Sequence, residues 1–450
     1  HGFCVRRADV QIWSFVPLLN FSNKLKLCAP KPARTQSPKP LAAMRQPTIN
    51  FHLNKKNMKR ILFSAFFLLF VVTGFSQQSS NKRQLKIVTV SGNGYERGYQ
   101  HGQQMKKEIA ELMLLWKKDL EQNFQMPADT FIHNFLSATD FIPAIKKYTP
   151  DILDEVRGIA KGSDQSFNDL LAFQLVDEYW VYGDKLINDT IHHHCSDVGI
   201  PAMNGRPAYV SQNMDLDSWM DGYQIVLHIK RHGNTPEQFV LSCAGVIALT
   251  GINENGIGVC VNTLMQLQAS GNGLPVAFVI RGLLEKKKNE ALQFIQTTKH
   301  ASGQNYTIGI VDSVYDFEAS ANKVVRLYPD ASGIVYHTNH PVVNDDVKPW
   351  YQDYYKSFLA GTTQNKNSEV RFATLKKRAN ETTDKSDVFL KTTLRSKDDN
   401  GNPVCRAHLS SNGFFTFGSV IMTLSNKRSL QVTAGPPDES EYQTFSFDKH

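Results

Sequence analysis

The stretch Ile191–Ile200, IHHHCSDVGI, places three histidines beside a thiol. Zinc is held by these side chains, so a metal centre is the first reading. Successive residues of an extended segment point to alternate sides, and His192, His193 and His194 therefore do not converge on one ion. No second His/Cys cluster with zinc spacing occurs in the chain; no metal site is assigned and no cofactor is implied. The other reading is chemical. An exposed polar loop is a place where a chain can be cut, and opening the bond between His194 and Cys195 would make Cys195 a new N-terminus. A thiol is only a few per cent ionised at neutral pH and needs a base. A free α-amine, with a pKa of about 7.7–8.0, is suited to that duty. One residue then supplies both nucleophile and base, although Cys195 alone reads more simply as a structural cysteine.

The elements around it decide between these readings. From about 85 to 190 the pattern is mostly helical. A short strand and a glycine-punctuated turn (KIVTVSGNGYERGYQHGQQ) lead into Met105, Ile109, Leu112, Met113, Trp116 and Leu120 at helical spacing. TPDILDEVRGIAKGS predicts a helix with Thr149 as N-cap, Pro150 at the first position and Gly162 past its end; SFNDLLAFQLVDEYWVY predicts another starting at Ser166. After Cys195 the period changes to two: PAYVSQNMD, YQIVLHIKR, QFVLSCAG and GIGVCVNTL read as strands. Helical text returns at PVAFVIRGLLEKKKNEALQFIQTT and SEVRFATLKKRA. Further strands are expected at NYTIGIVDS, ANKVVRLY, GIVYHTNH, FFTFGSVIMTLS and SLQVTAG. The order is that of an α+β fold, two packed antiparallel sheets flanked by helices.

Composition narrows the partners. The 450 residues are 41% hydrophobic and 20% charged, with a formal charge of +8. Residues 1–60 hold 12 Lys and Arg against one acid, Asp9, which leaves 38 basic and 41 acidic residues, a net of −3. A basic surplus confined to a leader is no nucleic-acid surface. MKR at Met58 and the apolar run ILFSAFFLLFVV, followed by TGFSQQ, read as a secretory signal peptide over 58–76. The run is too short to span a bilayer comfortably, so no stable membrane span is expected once the signal is removed. Residues 1–57 read as an unstructured segment upstream of the true start. Four cysteines remain after it: Cys195, Cys243, Cys260 and Cys405. A domain of this size needs no staples, and Cys260 alternates with apolar strand neighbours as a buried free thiol would.

Six motifs in order carry a resemblance. GYERGYQHG, CSDVGI, SQNMDLD, GINENGIGVCVNTL, HTNHP with SEVRF, and the terminal AGPP resemble the autoproteolytic cysteine acyltransferases and hydrolases related to acyl-coenzyme A:6-aminopenicillanic acid acyltransferase. These are N-terminal-nucleophile hydrolases, relatives of choloylglycine hydrolase and penicillin V acylase. The resemblance implies a four-layer αββα sandwich. It also implies a helical prosegment or small chain over 77–194, and a catalytic chain over 195–450 that keeps the small chain bound. By the same resemblance Cys195 is the nucleophile and Asp215 holds its α-amine. Asn262 offers its side-chain amide to the oxyanion, Asn339 lines the site, and Arg371 favours thiolate. Self-cleavage falls between His194 and Cys195. Two departures stand out. Choloylglycine hydrolases carry Arg where this chain has Gln212, which argues against bile-salt specificity, and the acyltransferase has Gly where this chain has His194.

The expectation is therefore an exported, self-processing enzyme acting on a linear N-acyl amide, with hydrolysis favoured over transfer because coenzyme A thioesters are intracellular. The alternatives are a choloylglycine or penicillin V acylase-like hydrolase, a non-catalytic exported binding protein on the same fold, and a zinc-binding protein.

Overall fold

A computed structural model describes residues 83–187, 194–362, 366–409, 413–425 and 427–447. The expected upstream segment and signal peptide, together with His192 and His193, lie outside these residues. Among the described residues no helix is long and apolar enough to cross a membrane.

The chain opens with strand β1 (Lys86–Val90) and seven helices: α1 (Gly94–Gln104), α2 (Lys106–Phe124), α3 (Ala128–Ala138), α4 (Ile142–Tyr148), α5 (Pro150–Ser163), α6 (Phe167–Phe173) and α7 (Val176–Ile187). The helical spacing holds in α2, whose buried face is Ile109, Leu112, Met113, Trp116, Leu120 and Phe124. Helix α5 starts after Thr149 with Pro150 at its first position, as expected, but two details differ. Thr149 makes no capping bond, and its hydroxyl turns back to donate to the Ile145 carbonyl at 3.3 Å. Gly162 lies inside α5, which ends instead at Asp164 in the left-handed region, with φ 56°. Gly162 belongs to a helix crossing rather than to a cap. A Cβ on Gly98 of α1 would stand 1.9 Å from the Glu155 carbonyl oxygen, and one on Gly158 of α5 would stand 2.2 Å from that of Tyr95. Only hydrogen fits between the two backbones. The glycines of GYERGYQHG are thus a packing device.

The strands β2 (Ser196–Ile200), β3 (Tyr209–Asp217), β4 (Gln224–Ile229), β5 (Gln238–Cys243), β6 (Thr250–Asn253) and β7 (Ile257–Thr263) follow. Helices α8 (Val276–Leu284) and α9 (Lys288–Thr297) come next, then β8 (Gln304–Ile310), β9 (Ser313–Ala319), β10 (Val324–Leu327) and β11 (Val335–His337). Helices α10 (Pro349–Leu359), α11 (Asn367–Glu381) and α12 (Asp387–Leu394) precede β12 (Phe414–Thr423), β13 (Ser429–Val432) and β14 (Gln443–Ser446). They form an eight-stranded sheet in the order β1-β4-β5-β6-β7-β8-β9-β10 and a six-stranded sheet in the order β11-β2-β3-β12-β13-β14. The two sheets face each other through β2 and β3 against β7, β8 and β9. Helix α8 covers β6 and β7 on one outside, and α11 and α12 cover β11, β2, β3 and β12 on the other. This is the four-layer αββα sandwich. Among the described residues every strand pair is antiparallel but one: β1, from before Cys195, pairs in parallel with β4.

The helical segment grips the sheets through buried polar groups. Glu155 accepts from Arg97 Nε at 3.1 Å and from Arg281 Nη1 at 2.8 Å and Nη2 at 3.0 Å, so an acid on α5 joins α1 to α8. His101 Nε2 accepts the Gly245 N–H at 3.0 Å, and burial pushes that imidazole down to about 4, neutral as this bond requires. Asp177 accepts from Thr263 Oγ1 and Gln304 Nε2, both at 2.7 Å.

Candidate active site

Cys195 immediately precedes β2, the neighbour of edge strand β11 in the six-stranded sheet, and is 5% exposed. Its Sγ lies 3.6 Å from Met214 Sδ and 3.9 Å from the Asp215 carbonyl oxygen. Burial, reinforced by the Asp215 charge, pushes the thiol up to about 12, against a smaller opposite pull from Arg371. The expected help toward thiolate has the right sign but does not prevail in the uncleaved chain. Cys243, Cys260 and Cys405 are also buried free thiols.

Arg371 is wholly buried on α11 and reaches four acceptors. Nη1 donates to the carbonyl of Cys195 and to Ser196 Oγ (2.8 Å), Nη2 to Asn339 Oδ1 (2.9 Å), and Nε to Asn367 Oδ1 (2.9 Å). Burial lowers its pKa only to about 10, so it remains a cation at neutral pH. Its fork fixes the main chain of the nucleophile, which the point charge of a lysine would not do. Asn339, just past β11, completes the brace: Nδ2 donates to the Thr263 carbonyl at 3.2 Å and its N–H to Ser368 Oγ at 2.8 Å.

Asp215, on β3, is 2% exposed. Its Oδ1 accepts from Thr416 Oγ1 at 2.7 Å, while Oδ2 lies 3.7 Å from Arg406 Nε and has no hydrogen-bond partner among the described residues. Burial raises this carboxyl to about 6, against the opposing pull of Arg406 and Thr416. An acceptor oxygen beside the nucleophile is what a new α-ammonium would use.

Asn262 departs from expectation. Its side-chain amide donates to Asp197 Oδ2 at 2.6 Å and Asn305 Oδ1 at 3.0 Å, so both hydrogens are committed between the sheets. Strand alternation is the reason: Val261 and Thr263 line the cavity at Cys195 and Asn262 does not. Gln212 is a link of the same kind, donating to the Val261 carbonyl and, at 3.4 Å, to Asn262 Oδ1. His194 Nδ1 lies 2.9 Å from Asn367 Oδ1 and its ring packs 5.2 Å from that of Phe414. No group of three His, Cys, Asp or Glu able to hold a metal occurs among the described residues.

Cys195 opens onto a cavity of about 90 Å³ with mainly apolar and aromatic walls. Phe173, Tyr179 and Trp180 come from before Cys195, and Val246, Leu249 and Ile280 from after it. The family model described as acyl-coenzyme A:6-aminopenicillanic acid acyl-transferase matches residues 203–439, just over half of the chain. The chain belongs to this acyl-transferase family. The matched span holds Asp215, Asn262, Asn339 and Arg371, and begins after His194 and Cys195. A relative from Emericella nidulans, the 40 kDa form of acyl-coenzyme A:6-aminopenicillanic-acid-acyltransferase, is 26% identical over 259 residues, covering 57% of this chain and 70% of the relative. Protein dcd1B of Dictyostelium discoideum is 24% identical over 278 residues, 56% of this chain and 53% of its own length. Among solved structures, a Caenorhabditis elegans ortholog of N-acylethanolamine-hydrolyzing acid amidase aligns at 17% identity and a TM-score of 0.34, over 51% of this chain and 92% of that one. Penicillin V acylase from Agrobacterium tumefaciens aligns at 14% and a TM-score of 0.34, over 56% and 86%.

The family motifs point to Cys195, Asp215, Asn339 and Arg371, and the fold brings these four together. Sequence reasoning missed Arg406, Thr416, Ser196, Ser368 and Asn367. Ser368 opens the quoted SEVRF and Asn367 directly precedes it, and a helical turn places Asn367 under Arg371. Arg406 and Thr416 meet Asp215 from 191 and 201 positions away, with no periodic signal to reveal them.

Proposed function

We propose that the protein is an exported amidohydrolase that cuts its own chain between His194 and Cys195 and then uses Cys195 on linear N-acyl amides. In the first step the Cys195 sulfur bonds to the His194 carbonyl carbon as the peptide C–N bond breaks. The thiol proton ends on the released nitrogen, and water then opens the thioester. In the second step the α-amine takes the thiol proton, the sulfur attacks the substrate carbonyl, and the departing amine receives the proton back. Water finally releases the acid.

Asp215 anchors the α-ammonium through Oδ2, Arg371 fixes the Cys195 carbonyl, and Asn339 braces Arg371. Asn262 acts by holding Asp197, two residues past the nucleophile, rather than by presenting its own amide. The apolar cavity takes the acyl part. A Cys195 held through its carbonyl by Arg371, beside a half-satisfied Asp215 in the lining of that cavity, carries the reading. The test is the intact mass of protein expressed from Met58, beside Cys195→Ala, followed by hydrolysis of N-acyl amides. Two fragments meeting at His194 and Cys195, an uncut variant and amide turnover are expected. A single intact chain in both samples would refute the mechanism.

A further inference from the structure

The cavity at Cys195 has a neighbour across its aromatic wall. A second chamber of about 490 Å³ shares Trp180, Asp217, Trp219 and Phe414 with it, so these residues form the boundary between the two spaces. That chamber holds two carboxyls from distant parts of the chain, Asp217 at the end of β3 and Asp119 of α2. Neither forms an ion pair among the described residues. Lys118 also lines the chamber, but it is exposed and pairs with neither. Among the described residues the Asp119 carboxylate is met by the neutral side chains of Asn123 and Trp219, which supply no counter-charge. The Asp217 carboxyl accepts no side-chain bond, and its residue is only half-exposed at most to solvent.

Burial, together with the neighbouring Asp119, raises Asp217 to about 8; burial raises Asp119 to about 6 despite the moderating presence of Asn123 and Trp219. Two carboxyls pushed up together lack a counter-charge. An indole beside them adds a surface that attracts cations. At neutral pH Asp119 is then largely ionised and Asp217 largely protonated, so an anionic group would be repelled, whereas a cation would let the second carboxyl ionise as well.

We propose that this outer chamber binds a protonated amino group on the amine part of the substrate, so that the preferred substrates are N-acyl derivatives of diamines. The proposal rests on the amidohydrolase reading above and names the substrate class for that same site. A cation seated between Asp119 and Asp217 supplies the missing charge while the acyl part fills the apolar cavity.

The test uses the self-processed protein and three amides sharing one acyl group, made with 1,4-diaminobutane, ethanolamine and glycine. In the wild type, kcat/KM for the diaminobutane amide is expected to exceed that for the ethanolamine amide by about tenfold, the gap that about 1.4 kcal/mol produces. The glycine amide should rank last. In Asp119→Asn/Asp217→Asn, with processing checked by mass, the diaminobutane-to-ethanolamine ratio should fall to about one. Taking the ratio within each protein removes any general loss of folding or activity. An unchanged ratio in the variant, or a wild-type preference for the neutral or anionic amide, would overturn the proposal. If no amide is turned over, the activity reading fails by itself, and the same amides are titrated onto wild-type protein by calorimetry. Tighter diaminobutane-amide binding that the variant loses upholds the chamber's role, and equal affinities overturn it.

Discussion

At the residue scale, the proposed self-cleavage would set one thiol two different problems. In the uncleaved chain Cys195 has no α-amine and burial holds it near 12, so thiolate is scarce at neutral pH. If thiolate is the attacking species, the self-cleavage rate should rise about tenfold per pH unit between pH 7 and 9, since the thiolate fraction does so below the pKa. Following the two fragments by mass over that range checks it; a flat profile would mean that ionisation of the thiol does not limit the step. The site was legible in the sequence only where its motifs are local. Cys195, Asp215 and Arg371 stand in short ordered motifs. Arg406 follows Cys405 in an irregular stretch, and only the pairing of β12 with β3 brings that region to Asp215. The direction of the Asn262 side chain was readable in principle. Its apolar neighbour Val261 and Thr263 line the cavity, and a strand cannot send adjacent side chains to one face.

At the element scale, two devices hold the site in place, and each makes a prediction. The α1–α5 crossing is closed to the point where a Cβ on Gly98 would overlap the Glu155 carbonyl. Gly98→Ala should cost about 3 kcal/mol, the upper part of the usual overpacking range, seen as a lower urea midpoint and less processed protein. A midpoint equal to wild type would mean that the helices separate freely. The second device is His337 at the end of β11, whose Nδ1 lies 2.7 Å from the Thr338 carbonyl and Nε2 2.7 Å from Glu318. Both partners are acceptors, since Glu318 also receives the N–H groups of Val342, Val343 and Asn344. The ring therefore carries both protons. Burial opposes this charge, but Glu318, Asp316 and Asp197 outweigh it and raise the pKa to about 9. A raised histidine contributes stability that is fully present below its unfolded pKa, about 6.5, and is lost as pH climbs through about 9. The stability gap between wild type and His337→Gln should thus be larger at pH 6 than at pH 10, and a gap that grows with pH would contradict the charged ring. Period-two and helical spacing made most strands and helices readable. The break between α6 and α7 escaped because it depends on Gln174, whose Nε2 donates to the Gly245 carbonyl at 2.9 Å across the fold.

At the scale of the whole molecule, the segment before Cys195 is part of the machine rather than a disposable leader. It adds β1 to the larger sheet, places Glu155 between Arg97 and Arg281, and supplies Phe173, Tyr179 and Trp180 to the cavity wall. Buried ion pairs are little screened by salt, whereas exposed ones lose their reach as the Debye length falls to about 3 Å at 1 M. If the chain is cut before Cys195 as proposed, the two parts should co-elute from size exclusion at 1 M sodium chloride with their activity intact. Glu155→Ala leaves two buried arginines without that partner, a loss of about 3–5 kcal/mol by analogy with broken buried pairs. In that variant, fragments that form should separate, and the chain from Cys195 onward should be inactive alone because the wall made by Phe173, Tyr179 and Trp180 is gone. Full activity in an isolated large chain would show that the apolar cavity is not where the acyl group sits.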